Sequence, residues 1–363
     1  MSADRNVDGF VAGGYEPVRE AFAAGPRSGS ALAVRRHGEV VVDLREGWAD
    51  AGRTRPWVTD TMVNVYSVGK PVIALAVLLL VDRGLVGLDD PIARHWPGFT
   101  TAASVRQLLT HTAGLPYFPV PRDASAWRDW DLLCADLAAA SPEWPPGTVA
   151  AEHALTYGHL LGELVRRVDG RSPERFVAEE IAGPWRLDLG FGATEPARCA
   201  DLEFDRPDRP EELLGEPGSV HARAIANPPG SRDLAVLNGD LWRRSVIPAV
   251  NLHATADSLA RFYAGLLAGG VLDGHRLLRA ELVADLVTPH FSGPDLFIGQ
   301  STTWGLGVQL EPDGTWGMGG LGGNAAWADP ATGHAIAYVT RRIGDFERVG
   351  AVDKALSSVR LLT

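Results

Sequence analysis

The sequence predicts an α+β fold in which an antiparallel sheet is flanked by helices and a mainly helical region is inserted into it. Three observations favour this class. Strand-like runs occur near both ends of the 363-residue chain, helical periodicity dominates between them, and tight Asp-Gly and Gly-Gly turns separate the C-terminal strands. We therefore assign residues 1–60 and 245–363 to a sheet domain and residues 61–244 to a mainly helical domain.

The N-terminal elements are one helix and one hairpin. Residues 16–24 carry apolar side chains at helical spacing. Residues 30–44 contain two apolar, β-branched runs separated by His37-Gly38, which is a favourable turn sequence. We expect these two runs to pair as antiparallel strands.

The middle of the chain is predicted to be helical. A long apolar helix begins near Ser67 and ends at Arg83, where Gly84 provides a stop. Because almost no polar side chain interrupts it, we expect this helix to be central and buried. Shorter helices are predicted over 105–112, 130–140 and 157–168 and after Ser172-Pro173. Residues 201–227 show little periodicity and are predicted to form an excursion on the surface.

The C-terminal part returns to a strand pattern. Four strands are predicted over residues 304–310, 316–318, 325–328 and 335–339, joined as an antiparallel meander. A last helix over residues 349–361 has the spacing needed to pack on that sheet.

The composition limits the class of partner and the location. A formal net charge of −11 is unfavourable for binding nucleic acid or an anionic membrane. The longest apolar stretch, residues 71–81, is too short to cross a bilayer. Residues 1–6 lack the apolar segment of a secretory signal, so we expect a cytoplasmic protein. Cys134 and Cys199 are then expected to be free thiols, and a Cys-rich metal site is excluded.

The clearest chemical signal is Ser67-Val68-Gly69-Lys70. Residues three apart on a helix share one face, so the serine and lysine side chains can touch. A serine needs a base to become a nucleophile at neutral pH, and burial in an apolar helix lowers the pKa of a lysine. The pattern therefore indicates nucleophilic catalysis. The alternative is a capping serine beside a lysine that extends to solvent.

Further stretches accompany this motif along nearly the whole chain: GYEPVREAF at 14–22, LLVDRG at 79–84, LLTHTAGLP at 108–116, PGT at 146–148, GELVRRV at 162–168 and EIAGP at 180–184. With these stretches the chain resembles the serine β-lactamase and penicillin-binding-protein superfamily, and specifically its class C-like esterase branch of family VIII carboxylesterases and related transesterases. The resemblance implies a β-lactamase/transpeptidase-like fold with the site between its two domains, and an acyl-enzyme on Ser67.

The resemblance also implies an oxyanion hole made of backbone N–H groups. By alignment these belong to Ser67 and to Leu321, which follows Gly320. Asn251 is a candidate for the wall of the cleft. Trp316 is another, with core packing as its alternative role. No cofactor is needed for this chemistry.

Two motifs of the family are substituted in this chain. The second motif, Tyr-x-Asn or Tyr-His-Ala, corresponds here to Glu152-His153-Ala154, so a glutamate takes the place of the tyrosine. Tyr157, the nearest tyrosine, is five residues further on and is expected to point elsewhere. The third motif places a lysine, or a histidine in the esterases, where this chain has Met318.

The substitution at Met318 changes the expected substrate. Methionine supplies neither the positive charge nor the hydrogen-bond donor that lysine or histidine provides. The carboxylate of a penicillin loses an anchor, so β-lactamase activity is not expected. A methionine suits an apolar acyl or aromatic group instead.

Three roles are open for Glu152. It can replace the tyrosine as a proton shuttle, pair with Lys70 and keep that amine protonated, or bind an amine group of the substrate. An exposed and idle side chain is the remaining alternative. His153 is a further candidate for the site, although a single histidine is more often structural.

We expect a serine enzyme that transfers an acyl group from a small ester or activated amide through an acyl-Ser67 intermediate, with Lys70 as the base and Glu152 assisting the second acceptor. Water as acceptor would make it an esterase; an alcohol or amine would make it a transacylase. Two alternatives remain: a non-hydrolytic enzyme with Glu152 as its base, and a catalytically impaired binding protein. The expected partner is a small molecule, with no nucleic acid and no membrane. The oligomeric state does not follow from the sequence.

Overall fold

The computed structural model describes residues 7–25, 28–193 and 195–360. Residues 1–6, on which the expectation about a secretory signal depends, lie outside this range. The described strands are β1 Asp8–Val11, β2 Ser30–Arg36, β3 Glu39–Glu46, β4 Val63–Asn64, β5 Leu189–Phe191, β6 Glu203–Phe204, β7 Leu252–Ala254, β8 Val271–Leu272, β9 His275–Arg276, β10 Phe291–Asp295, β11 Gln300–Trp304, β12 Gln309–Leu310, β13 Trp316–Gly320, β14 Asn324–Asp329, β15 His334–Thr340 and β16 Arg342–Ile343.

Helices occupy most of the intervening chain. The described α-helices are α1 Glu16–Ala24, α2 Lys70–Asp82, α3 Val105–Leu109, α4 Trp130–Ala138, α5 Tyr157–Asp169, α6 Pro173–Val177, α7 Gly183–Trp185, α8 Arg209–Glu212, α9 Val220–Ala226, α10 Leu234–Leu237, α11 Asp240–Arg244, α12 Ala256–Leu267, α13 Ala280–Leu286 and α14 Glu347–Arg360. None of the described helices is both long and apolar enough to span a membrane.

The main sheet joins the two ends of the chain. Among the described residues it contains nine antiparallel strands in the order β1-β3-β2-β15-β14-β13-β12-β11-β10. The junction is the pairing of β15 with β2, in which Ile336 lies opposite Val34 and Tyr338 opposite Leu32. This arrangement confirms the α+β class and the antiparallel meander expected from the C-terminal strands. The domain boundaries at residues 60 and 245 stay a prediction.

The sheet is covered on both faces, and the strand alternation decides which residue faces which layer. On β15, Ile336 and Tyr338 point toward α1 and α14, where Phe22 and Leu356 complete a small core. Ala335, Ala337 and Val339 point to the opposite side, toward α12 and the large core. Because both faces of this strand are buried, residues 335–339 of β15 form an uninterrupted apolar run.

Helix α2 passes through the large core. Its residues 70–80 are all buried, and it packs on α5, α6 and β13. Apolar side chains surround the whole circumference of α2, as the sequence predicts for a central helix. The helix therefore holds its first turn, and the side chains on it, in a fixed position relative to the end of β13.

Several sequence expectations need correction at their boundaries. The run 304–310 is not one strand, because the Gly305 N–H donates to the Val308 carbonyl in a turn and Gly307 has φ +88°. The stretch 201–227 is not merely a surface excursion, since it forms β6, α8 and α9 and contributes to a cavity described below. Cys134 and Cys199 are buried free thiols, as expected.

Candidate active site

Ser67 begins the short 3₁₀ turn Ser67–Gly69, which leads directly into α2. The sequence predicts one continuous helix from Ser67, and the structure moves the start of the α-helix to Lys70. Tyr66, the residue before the turn, has φ +50° and ψ −132°, a conformation that a tyrosine rarely adopts. This strained residue joins β4 to the turn, and Ser67 borders the cavity that opens there.

Lys70 is in direct contact with Ser67. Its Nζ lies 2.6 Å from Ser67 Oγ, which confirms the contact that the Ser-x-x-Lys spacing predicts. The side chain has no exposed surface, and Nζ also donates to the carbonyl oxygens of Ala154 and Ala249, both at 3.2 Å. Burial lowers the pKa of Lys70, and the neighbouring Glu152 carboxylate opposes this effect by raising it.

Glu152 completes a triangle with the serine and the lysine. Its Oε1 lies 2.9 Å from Lys70 Nζ and accepts a hydrogen bond of 3.2 Å from the Ser67 hydroxyl. The residue is 7% exposed and borders the cavity. Of the alternatives weighed for Glu152, the exposed and idle one is therefore wrong. Its contact with Lys70 favours a role in proton transfer or in setting the charge of that amine.

Asp295, at the end of β10, fixes the chain at Glu152. Its Oδ1 accepts from the backbone N–H groups of Glu152, Phe297 and Ile298 at 2.9–3.0 Å, and its Oδ2 accepts from the Trp304 indole at 3.1 Å. Burial raises the pKa of Asp295, whereas the backbone hydrogen bonds lower it. The sequence reasoning did not find this residue. Its only signal is an acid that directly precedes the apolar run 296–298.

His153 of the second motif and the nearby Tyr157 have structural roles. Tyr157 is buried and its hydroxyl donates to the Leu109 carbonyl, so it points away from Ser67 as predicted. His153 has no exposed surface, and its Nε2 accepts from the Leu115 N–H. Burial lowers the pKa of His153 to about 3, so the ring is neutral at physiological pH. The expectation that His153 contacts substrate is therefore wrong.

Two other predicted wall residues also lie outside the cavity. Asn251 is fully buried, and its amide group accepts from the Ile247 N–H and donates to the Trp242 and Ser245 carbonyls. It stabilises its own loop and has no free group for a ligand. Trp316 is buried against Tyr263, with ring centroids 5.6 Å apart, and borders the adjacent groove described below instead of this cavity.

The end of β13 brings the backbone groups of the expected oxyanion hole close to Ser67. Gly320 packs so closely that a Cβ there would lie 2.3 Å from the Val65 carbonyl and 3.4 Å from the Ser67 nitrogen. Leu321 follows it and borders the same cavity as Ser67. Within the described chain, neither the Ser67 nor the Leu321 N–H donates a hydrogen bond. Both groups are thus available to a ligand oxygen.

The triangle opens into a cavity of about 300 Å³. Met318 and Leu321 border it, in agreement with their predicted positions, and Phe297, Ile298 and Phe346 add apolar surface that the sequence reasoning missed. The stretch expected to be a surface excursion supplies Leu213, His221 and Ile225, followed by Arg232 from the next loop. Those residues could not be located by periodicity, because a long connection reaches the site only through the tertiary fold.

A second groove, of about 530 Å³, lies beside the cavity between β12–β14 and the start of α14. The two hollows share Gln309, Met318, Gly319 and Phe346, so a ligand in the cavity has an adjacent surface on which to extend. In the ranges 7–25, 28–193 and 195–360, no group of three His, Cys, Asp or Glu side chains is arranged to hold a metal ion.

Comparison with known proteins supports the same interpretation. The Beta-lactamase family model matches residues 4–357. The chain is 34% identical over 371 residues to the Esterase/beta-lactamase LipL of Mycobacterium tuberculosis, covering 94% of this chain and 84% of that protein. Two solved structures share the fold over 98% of this chain and all of theirs. One is a penicillin-binding protein homolog from Caulobacter crescentus, with a TM-score of 0.85 and 34% identity. The other is a family VIII carboxylesterase, with a TM-score of 0.88 and 31% identity.

The family match over nearly the whole chain and the named esterase relatives agree with a helix-borne serine in contact with a buried lysine. The chain therefore belongs to the Beta-lactamase family and is a serine hydrolase of the β-lactamase-like superfamily.

Proposed function

We propose that this protein is an esterase or transacylase that forms an acyl-enzyme on Ser67 from a small ester or activated amide. The observation that carries the proposal is the triangle of Ser67 Oγ, Lys70 Nζ and Glu152 Oε1, with sides of 2.6, 2.9 and 3.2 Å. Ser67 and Glu152 border a mainly apolar cavity, and the fully buried Lys70 contacts both of them. A nucleophile within hydrogen-bonding distance of a base that a third group orients is the arrangement that acyl transfer requires.

The three groups of the triangle can supply and accept the protons that this reaction moves. When Lys70 and Glu152 share one proton, one of them is always a free base next to the Ser67 hydroxyl. As Ser67 Oγ attacks the substrate carbonyl, the hydroxyl proton passes to Lys70, the nearer of the two. The negative charge that develops on the carbonyl oxygen meets the Ser67 and Leu321 N–H groups. The C–O or C–N bond of the substrate then breaks, and Glu152 relays the proton to the leaving group.

The second half of the cycle reverses these proton movements. The incoming water, alcohol or amine loses a proton to the Lys70–Glu152 pair as it attacks the acyl-serine, and Ser67 Oγ recovers a proton when the ester bond breaks. Water gives hydrolysis, and an alcohol or amine gives transfer. We also propose that the substrate is a small molecule from secondary metabolism, a choice that rests only on the breadth of the family, and that the protein is cytoplasmic.

Labelling of Ser67 tests the proposal. Wild type and Ser67→Ala are incubated with a fluorophosphonate and with short-chain aryl esters, and the intact masses are measured. We expect one added group on wild type and none on Ser67→Ala. Lys70→Ala should label much more slowly than wild type, because it removes the amine in contact with Ser67 Oγ. Lys354→Ala, which removes the exposed second lysine, is its matched control and should label normally. Labelling of Ser67→Ala, or none on wild type, would refute an acyl-Ser67 intermediate.

The alternative with Glu152 as the base of a non-covalent reaction has one observation in its favour, the direct hydrogen bond from the Ser67 hydroxyl to Glu152. Turnover that survives Ser67→Ala but not Glu152→Gln would support it over the acyl-enzyme.

A further inference from the structure

Arg232 is an unpaired cation in the wall of the cavity at Ser67. It lies in the loop between α9 and α10 and is the one lysine or arginine among the described residues that border this cavity. Its Nη1 donates a long hydrogen bond of 3.4 Å to the Pro210 carbonyl, and its Nε is buried without a partner. No carboxylate of the described chain lies within ion-pair distance of this guanidinium.

Other arginines of the same region are paired. Arg223 contacts Glu143 at 2.9 Å, and Arg209 contacts Asp205. Arg232 also borders a separate surface hollow lined by Glu211 and Asp233, but neither acid forms an ion pair with it. Asp233 instead accepts from the Ala235 N–H at the start of α10. Burial lowers the pKa of Arg232, and no neighbouring charge opposes this effect.

The charge balance of the cavity leaves Arg232 available for a ligand. The other charged group in the cavity wall, Glu152, is already opposite Lys70. A partly buried guanidinium without a counter-ion is costly, and an anion placed beside it recovers that cost and adds charge-assisted hydrogen bonds. A single positive charge matches one negative charge, so a monoanionic carboxylate fits better than a phosphate dianion.

We propose that the substrate of this enzyme carries a carboxylate, which Arg232 binds while the ester lies at Ser67. This inference rests on the proposed acyl transfer at Ser67. The remainder of the cavity wall is mainly apolar, with Met318, Leu321 and Phe297 among its members, so the substrate would have an apolar body between the ester and the acid. Arg232 is thus a specificity-determining residue outside the proton-transfer triangle.

Matched ester pairs test the proposal. One series contains 4-nitrophenyl monoesters of C6 to C10 diacids, in which the acyl group carries the carboxylate. A second contains aryl acetates in which the aryl leaving group carries the carboxylate. Each member is compared with the methyl ketone of equal length, which has no charge. For at least one length we expect wild type to favour the carboxylate about 10- to 100-fold in kcat/KM. The ratio should fall toward one in Arg232→Met and be partly kept in Arg232→Lys.

Arg223→Met is the matched control, because it removes an arginine of the same region that already has a partner, and it should keep the wild-type ratio. No preference at any length, or a preference unchanged in Arg232→Met, would overturn the carboxylate inference. A greater preference for phosphate monoesters of the same lengths would also overturn it.

A binding measurement separates this inference from the proposed function. Calorimetry on Ser67→Ala, with the same carboxylates and ketones, reports recognition without chemistry. If no ester acylates wild type, the proposed function fails. Carboxylate binding that Arg232→Met weakens at least tenfold then still supports the inference, and its absence overturns it.

Discussion

Replacing Glu152 with glutamine removes one charge from the site and leaves the side-chain size almost unchanged. In the wild type the carboxylate oxygen lies 2.9 Å from Lys70 Nζ. At an effective dielectric constant of about 20, two unit charges at this distance attract by about 6 kcal/mol, before the cost of desolvating them. This attraction raises the pKa of Lys70 against the larger effect of burial. In Glu152→Gln the pKa of Lys70 therefore falls further, and the neutral amine becomes more populated.

Two kinetic results follow from this shift. The acid limb of kcat/KM should move to lower pH, because Lys70 remains a free base in more acidic solution. For an alkyl ester, whose leaving alkoxide needs a proton, kcat/KM should fall about 10²- to 10⁴-fold, the usual contribution of a positioned acid. A 4-nitrophenyl ester should lose far less, because 4-nitrophenolate leaves without a proton.

The assay is a pH profile of kcat/KM from pH 5 to 9 for one alkyl and one aryl ester with the same acyl group. Glu143→Gln, which neutralises a carboxylate outside the cavity, is the matched control and should follow wild type. Equal losses for both esters at every pH, with no shift of the acid limb, would refute the reasoning. That result would mean that Glu152 itself takes the proton of Ser67 and that Lys70 stays charged.

Three further predictions concern residues around the triangle. The two oxygens of Asp295 together accept four N–H groups, and Asp295→Asn replaces one of these oxygens with an NH2 donor. We expect kcat to fall about tenfold or more with little change in KM, and urea unfolding to show a loss of about 1–3 kcal/mol. An unchanged kcat would contradict the positioning role. Gly320→Ala places a Cβ 2.3 Å from the Val65 carbonyl and should lower kcat about 100-fold or more, with the circular dichroism spectrum unchanged. Gly319→Ala is the control: its Cβ meets only the Phe346 ring, at 3.3 Å, and kcat should fall much less. Equal losses of kcat in the two variants would refute the close-approach argument. His159 is buried among Phe118, Trp127 and Trp130, and burial lowers its pKa to about 3. The unfolded chain therefore binds an extra proton as the pH falls below about 6.5, and stability decreases by up to about 1.4 kcal/mol per pH unit for this group until pH 3 is approached. Urea unfolding at pH 7, 6 and 5 should show a smaller decrease for His159→Phe, and an identical slope would exclude His159 as a source.

The sequence predicted correctly those helices and hairpins whose form depends only on nearby residues. The apolar spacing of residues 16–24 coincides with α1, and the His37-Gly38 turn joins β2 to β3. The prediction of one strand over residues 304–310 was wrong, because Gly305 and Gly307 permit a turn that the apolar pattern does not reveal. The prediction that residues 201–227 lie only on the surface was wrong for a different reason. The position of such a long connection depends on its tertiary contacts with the rest of the fold, which periodicity does not reveal.

The site was predictable where spacing or alignment fixes a position along the chain. Ser67 and Lys70 are one turn apart, so their contact follows from helix geometry, and Glu152 was found because the motif around it survives. The expectation that His153 and Asn251 face the cavity was wrong, because their place in the sequence does not determine which way each side chain points. Asp295 and Arg232 were missed because each acts from a different segment, more than 75 residues from Glu152 in the chain.

The pairing of β15 with β2 has a consequence for the order in which the protein matures. During synthesis Ser67, Lys70 and Glu152 leave the ribosome long before β13, whose end carries the proposed oxyanion hole, and β15, which closes the sheet. Contacts of such long sequence separation are made late and slowly. A nascent chain that ends before Trp316 carries Ser67, Lys70 and Glu152, yet it lacks the strand that packs against Ser67. On the proposed mechanism, hydrolytic competence is therefore acquired only with about the last eighth of the polypeptide.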